Sequence, residues 1–67
     1  MKFKGGDKVT FRHWWYDDVI ITGEIVGQTD REFVIRPDEC YFNEPVKRNF
    51  HVSRWKLEEY IKDALRG

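Results

Sequence analysis

The stretch from Val19 to Arg36 decides the fold. It reads Val-Ile-Ile-Thr-Gly-Glu-Ile-Val-Gly (19–27), Gln-Thr-Asp-Arg (28–31) and Glu-Phe-Val-Ile-Arg (32–36). Two runs rich in β-branched residues on either side of a short polar connector are typical of a β-hairpin. Gly23 and Gly27 lie inside and at the end of the first run, where we expect a bend or bulge and a tight exit. The residues expected to face the core are Ile21, Ile25, Phe33 and Ile35.

The residues on either side of the hairpin complete the prediction of a small antiparallel sheet. Val9 and Phe11 alternate with polar residues on a first strand at about 7–12, and the hairpin supplies strands at about 19–27 and 32–36. Pro37 has no backbone N–H, so the third strand either stops there or becomes an edge strand.

The segment from Asp38 to Lys47 leaves two interpretations open. In one, the third strand continues through Phe42, turns at 43–45 and returns as a fourth strand at about 46–52. In the other, the segment is a long flexible loop. We favour the first, because residues 46–52 then alternate, with Phe50 and Val52 facing the core and their neighbours facing solvent.

The C-terminal segment predicts a short helix at about 54–65. Ser53 is a suitable N-cap, because its hydroxyl can accept a hydrogen bond from a free amide of the first turn. Apolar residues then recur at helical spacing and form one stripe; they are Leu57, Tyr60, Ile61, Ala64 and Leu65.

Length and composition limit the possible classes of protein. The 67 residues predict a single domain, 1–67, with twelve basic and twelve acidic side chains. That balance argues against a general binder of the phosphate backbone, which carries a basic excess. The start of the chain has no apolar signal segment, and no apolar run is long enough to span a bilayer. We therefore expect a soluble, cytoplasmic protein without a membrane partner.

Little in the sequence indicates catalysis. His13 and His51 lie far apart, outside any spacing typical of zinc ligands, and we expect both to be solvated side chains. Cys40 is the only cysteine, which excludes an internal disulfide. The three pairs of adjacent carboxylates diverge on either a strand or a helix, so none is arranged for acid–base work. We predict a non-enzymatic protein with no cofactor and no metal.

The first candidate site is the segment from His13 to Asp18. Trp14, Trp15 and Tyr16 are adjacent, so they cannot all face one side of a strand, and the segment is expected to be a loop. In one interpretation its rings fill the end of a small barrel. In the other, the rings and the carboxylates of Asp17 and Asp18 form a protein-binding surface, since Trp and Tyr are frequent in binding hot spots.

The second candidate site is a local basic and aromatic patch that would bind nucleic acid. Positive side chains interleaved with a ring hold single strands through phosphate pairing and base stacking. The residues of this patch are Lys47, Arg48, His51, Arg54, Trp55 and Lys56. A third possibility is self-association through the edge strands of an open sheet, which would give a homo-oligomer.

The order of these motifs resembles the SH3-like small β-barrels. Gly-Asp-Lys-Val at 6–9, Thr-Gly-Glu-Ile-Val-Gly at 22–27 and Leu-Glu-Glu-Tyr-Ile at 57–61 carry the resemblance, which covers nearly the whole chain. It implies a mostly β fold, an SH3-like barrel of four to five antiparallel strands with a short C-terminal α-helix. The chain looks most like the small standalone members found in bacteria, phages and plasmids. Such a protein could bind a host factor.

Relatives of this fold differ widely in function. Tudor-like and KOW-like modules bind peptides, modified side chains or nucleic acid. The plasmid-borne type B dihydrofolate reductases are also small barrels, assembled as tetramers around a pore, and their active site uses a Val-Gln-Ile-Tyr strand. The corresponding place here reads Asn-Phe-His-Val at 49–52, which does not match. The resemblance therefore predicts the architecture rather than one function. We expect binding of a protein, with nucleic-acid binding as the alternative and a reductase of this kind as a remote one.

Overall fold

The computed structural model describes residues 3–66 and contains one antiparallel sheet and one helix. The strands are β1 (Lys8–Arg12), β2 (Ile20–Gln28), β3 (Glu32–Pro37) and β4 (Phe50–Ser53), followed by helix α1 (Leu57–Leu65). The strands lie in the order β1-β2-β3-β4 and curl into a half-barrel. The predicted fold class, a mostly β small barrel with a short C-terminal helix, is confirmed.

Alternation along the strands places the core on the concave face of the sheet. The buried apolar residues are Val9, Phe11, Ile21, Ile25, Phe33, Ile35, Val52 and Leu57. Each such side chain contributes about 1.5–3 kcal/mol when it leaves water. The inward residues predicted for the first three strands are thus confirmed. Val52 is buried as predicted, whereas Phe50 is half-buried and packs against the edge of the core.

The two glycines of β2 have different roles. The register of β2 against β3 shifts between Ile25 and Gly27, so the bulge lies there rather than at Gly23. Gly23 pairs with Pro37, and a Cβ at Gly23 would lie 2.5 Å from the Arg36 carbonyl oxygen. Gly23 therefore permits a close approach of two backbones, and it keeps the alternation of β2 unbroken.

The predicted extension of the third strand through Phe42 is wrong, and so is a fourth strand beginning at residue 46. β3 ends at Pro37, as its missing N–H requires, and β4 begins only at Phe50. The Asp38 amide still donates to the Thr22 carbonyl (2.9 Å). The Tyr41 hydroxyl then accepts the Thr22 N–H (3.1 Å), in place of the carbonyl that a longer β3 would offer.

The predicted N-cap at Ser53 is also wrong. Ser53 still pairs with Glu32 as the last residue of β4, and its hydroxyl accepts from the Trp55 amide (3.3 Å). A turn at 54–56 follows, and α1 begins at Leu57 with Lys56 at the N-cap position and no side-chain cap. Leu57 is fully buried and anchors the first turn of the helix in the core.

β1 and β4 are the edge strands of the sheet. Helix α1 packs against β1. Self-association through an edge strand stays a prediction. No helix in the part of the chain that the structure describes has the length and apolarity needed to cross a bilayer.

Candidate functional site

The loop between β1 and β2 is closed by two backbone hydrogen bonds. The His13 amide donates to the Val19 carbonyl (2.9 Å), and the Val19 amide donates to the Tyr16 carbonyl (2.9 Å). The second bond closes a turn whose corner residues are Asp17 and Asp18, both exposed. The turn therefore holds the two carboxylates at the tip of the loop.

His13 lies under this loop, contrary to the expectation of a solvated side chain. It is only 6% exposed, and its Nδ1 accepts from the backbone amides of Trp15 (3.1 Å) and Tyr16 (3.4 Å). Burial lowers the pKa of the imidazole from its ordinary value of 6.5. The geometry requires Nδ1 without a proton, because a protonated Nδ1 would meet two N–H donors.

The rings of the loop divide into a half-buried and an exposed group. Trp14 stacks on His13 (centroids 4.1 Å apart) and on Tyr60 of α1 (6.1 Å). Trp15 is 78% exposed and Tyr16 is 50% exposed. The expectation of core-filling rings therefore describes Trp14, while Trp15 and Tyr16 remain available at the surface.

Arg12 fastens the loop to the C-terminal end of the helix. Its Nε and Nη2 donate to the Asp63 carbonyl (3.3 and 3.0 Å), and its Nη1 donates to the Asp17 carbonyl. The Asp63 carbonyl lies in the last turn of α1, where carbonyls have no amide partner within the helix. The guanidinium therefore caps the helix and holds the base of the loop at the same time.

A ring from the connector between β3 and β4 completes the exposed surface. Phe42 packs on Tyr16 (centroids 5.3 Å apart) and on His13 (5.4 Å), and it is 44% exposed. Phe42 and Asn43 both have left-handed backbones, with φ of 60° and 59°, in a turn closed by the Glu44 amide and the Tyr41 carbonyl (3.3 Å). This conformation is unfavourable for a bulky residue such as Phe.

We call this region the two-loop surface. It consists of Trp15, Tyr16, Asp17, Asp18 and Phe42. The sequence pattern indicates the first four residues but not Phe42, because the favoured interpretation places that ring on a strand. It also missed His13 as the support beneath the surface. β3 ends at Pro37, and Phe42 contacts Tyr16 and His13 from the loop that follows it.

Some residues of the predicted nucleic-acid patch contact other side chains or backbone carbonyls, and the others are exposed. Arg48 forms an ion pair with Glu44 (2.8 Å), and His51 lies 3.5 Å from Glu32. Arg54 donates to the carbonyls of the β2–β3 turn at Thr29 and Asp30 (3.4 and 3.3 Å), and its guanidinium lies over the Phe33 ring. Lys47, Trp55 and Lys56 are exposed.

Trp55 borders a solvent-open groove of about 530 Å³ on the outer face of the helix. The other lining residues are Glu58, Glu59, Lys62, Asp63 and Arg66. Glu58 pairs with Lys62 (3.5 Å) and Asp63 pairs with Arg66 (3.2 Å). The groove therefore presents largely compensated charges, with acidic side chains beside the ring.

Within residues 3–66, no three His, Cys, Asp or Glu side chains come together as metal ligands would, and Cys40 is exposed. No family model, curated protein or solved structure matches this chain. The SH3-like family resemblance therefore stays a prediction from the sequence, and a proposal of function rests on the surface itself.

Proposed function

We propose that this protein is a non-enzymatic binding module that holds another protein on the two-loop surface. The observation that carries the proposal is the exposure of Trp15, at 78%, beside the half-exposed Tyr16–Phe42 pair. Aromatic residues of this kind supply most of the binding energy in many interfaces, because they bury a large area with few rotatable bonds. The adjacent carboxylates of Asp17 and Asp18 add a polar rim.

The support beneath the surface favours binding of a partner without rearrangement. His13 accepts hydrogen bonds from the amides of Trp15 and Tyr16, and Trp14 is held between His13 and Tyr60. A loop that is already held in one conformation loses less conformational entropy when it binds. The strained backbone of Phe42 fits the same proposal, because sparsely populated conformations cluster at functional sites.

The test is affinity capture with a matched pair of variants. Trp15→Ala and Trp55→Ala each remove one exposed indole, of 78% and 70% exposure, from different regions of the chain. We expect a captured partner that binds the wild type and Trp55→Ala but is lost with Trp15→Ala. A partner retained equally by both variants would contradict the proposal. Calorimetry with the purified partner then measures the loss, which we expect to be about tenfold or more.

Nucleic-acid binding is the second candidate, supported by the exposed ring of Trp55 between Arg54 and Lys56. It would require the ring to stack on a base while Lys47 and Lys56 contact phosphates. Three of the patch residues already have partners: Arg48 and His51 lie against acidic side chains, and Arg54 donates to carbonyls of the β2–β3 turn. The protein-binding proposal therefore has the stronger support.

The resemblance to small bacterial, phage and plasmid barrels also suggests the biological setting in which this binding takes place. A small domain that exposes an aromatic and acidic surface suits a protein that inhibits or adapts another protein. We propose that role for it in a bacterial or mobile-element context.

A further inference from the structure

We infer that the segment bound on the two-loop surface carries an arginine, whose guanidinium stacks on Trp15 and pairs with Asp17 or Asp18. This inference rests on the proposed function, since it names the chemistry of the partner for that same surface. Three features of the described residues support it: the free indole, the uncompensated carboxylates and the closed packing of the neighbouring rings.

The indole of Trp15 has a face available for a ligand. Within residues 3–66 its ring packs on no other aromatic ring, unlike the rings of Trp14, Tyr16 and Phe42. No arginine lies over it either, since the cation–ring contact in this part of the chain joins Arg54 and Phe33. Trp is the best aromatic partner for a cation, and arginine is the cation found most often on it.

The carboxylates of Asp17 and Asp18 are uncompensated. Five carboxylates elsewhere in the described chain form ion pairs with Lys or Arg, on Asp38, Glu24, Glu44, Glu58 and Asp63, and Glu32 lies 3.5 Å from His51. In the two other adjacent acidic pairs, 38–39 and 58–59, one member is paired. Asp17 and Asp18 are thus the only adjacent carboxylates in residues 3–66 that both lack an ion-pair partner. Like charges side by side at a turn are unfavourable and attract a cation.

Arg12 does not remove this charge. Its guanidinium donates to the backbone carbonyls of Asp17 and Asp63, so its N–H groups are turned towards the base of the loop. Its single positive charge against the two carboxylates leaves a net negative charge. An incoming guanidinium would therefore gain both a ring face and a carboxylate.

The packing of the rings favours arginine over lysine. The Tyr16 and Phe42 rings touch, with centroids 5.3 Å apart, and both rest on His13. No space lies between these two rings for a compact ammonium group surrounded by aromatic walls. A planar guanidinium needs only an open face and a carboxylate at its edge, and it is more weakly hydrated than an ammonium.

The test uses three capped glycine–serine peptides that are identical except at two positions. These two positions are both arginine in the first peptide, both lysine in the second and both glutamine in the third. Dissociation constants come from amide shifts of the intact, labelled protein at low salt. We expect the arginine peptide to bind most tightly. The dissociation constant of the glutamine peptide should be larger by a factor of about five or more. We expect higher salt to weaken binding, because the carboxylates are exposed.

Two matched pairs of variants locate the contact. Trp15→Ala and the double change Asp17→Asn with Asp18→Asn should each weaken arginine-peptide binding about fivefold. Trp55→Ala and the double change Glu58→Gln with Glu59→Gln remove equivalent groups at the helix and should leave it unchanged. All four variants alter exposed side chains, and their spectra check that the fold is retained.

The outcomes separate this inference from the proposed function. A preference for the arginine peptide that is lost in the two loop variants and kept in the two helix variants supports both the inference and the protein-binding proposal. Equal affinity for the glutamine peptide, still lost with Trp15→Ala, overturns the inference and leaves the protein-binding proposal in place. Tighter binding of the lysine peptide, or binding that only the helix variants weaken, also overturns it. Absence of binding by all three peptides overturns the inference, while partner capture by the matched tryptophan variants judges the proposed function independently.

Discussion

Trp15 and Trp55 are similarly exposed, at 78% and 70%, yet their surroundings differ. Trp15 lies in a loop whose hydrogen bonds and stacked rings hold it from below, next to two unpaired carboxylates. Trp55 lies in the turn before α1, beside a groove whose acidic and basic side chains largely pair with one another. Exposure alone therefore does not identify a binding residue. What distinguishes Trp15 is a rigid support together with an uncompensated charge beside it.

The largest effect that sharpens this comparison is on stability. Trp14→Ala removes the ring held between His13 and Tyr60, and we expect the free energy of unfolding to fall by about 2–3 kcal/mol. Trp15→Ala and Trp55→Ala should each change it by no more than about 0.5 kcal/mol. Urea denaturation of the three variants provides the measurement. A loss on Trp15→Ala as large as on Trp14→Ala would mean that Trp15 is also part of the core.

A smaller effect is expected where Tyr41 anchors the connector between β3 and β4. Tyr41→Phe removes the hydroxyl that accepts the Thr22 N–H, and we expect a loss of about 1–2 kcal/mol because that amide then has no partner. Faster hydrogen exchange at Thr22 would confirm the cause. Binding at the two-loop surface should weaken as well, since Tyr41 precedes Phe42. Unchanged exchange at Thr22 would show that another group, such as water, satisfies the amide.

The pH dependence of stability tests the support beneath Trp15. Burial lowers the pKa of folded His13 from 6.5, so the unfolded chain binds a proton more readily. The contribution of His13 is fully present above pH 6.5 and is lost as the pH falls through its folded pKa. We expect the urea midpoint to decrease as the pH is lowered through this range. The NMR signals of amides 14–16 should change over the same pH range as those of the imidazole. An NMR titration in which His13 has a pKa above 6.5 would contradict this account.

The smallest effect is expected in the basic patch. Arg48→Ala breaks an ion pair with Glu44 in which the Arg48 side chain is well exposed, and such pairs contribute about 0.5 kcal/mol or less. Stability and peptide binding should both stay within error of the wild type. A large loss of oligonucleotide affinity on this change, steeply dependent on salt, would instead favour the nucleic-acid function around Trp55.

The sequence was sufficient for the sheet and its core, since alternation and β-branched runs depend on local pattern. Val9 and Phe11 in β1, and the inward residues of the hairpin, follow from it directly. The connector from 38 to 49 could not be predicted, because its path depends on distant partners. Tyr41 uses its hydroxyl on β2, and Phe42 adopts a left-handed backbone to contact the first loop.

The candidate site was therefore only half predictable. Trp15, Tyr16 and the two aspartates are adjacent in sequence, and this run of rings and carboxylates fits neither the strand nor the helix period. His13 gave no signal of burial, since a histidine beside aromatic residues is equally compatible with solvent. The N-cap assignment of Ser53 failed for a similar reason, because pairing with Glu32 keeps this residue in β4.

The most direct test of the two-loop surface as the binding site is an amide-resolved NMR titration of the wild-type protein. The arginine peptide and short single- and double-stranded oligonucleotides are added in parallel, at low and moderate salt. Our account predicts peptide-induced shifts centred on residues 13–18 and 41–43, with no specific response to oligonucleotides. Shifts centred on residues 47–56 with oligonucleotides, fading with salt while the two loops stay silent, would contradict it.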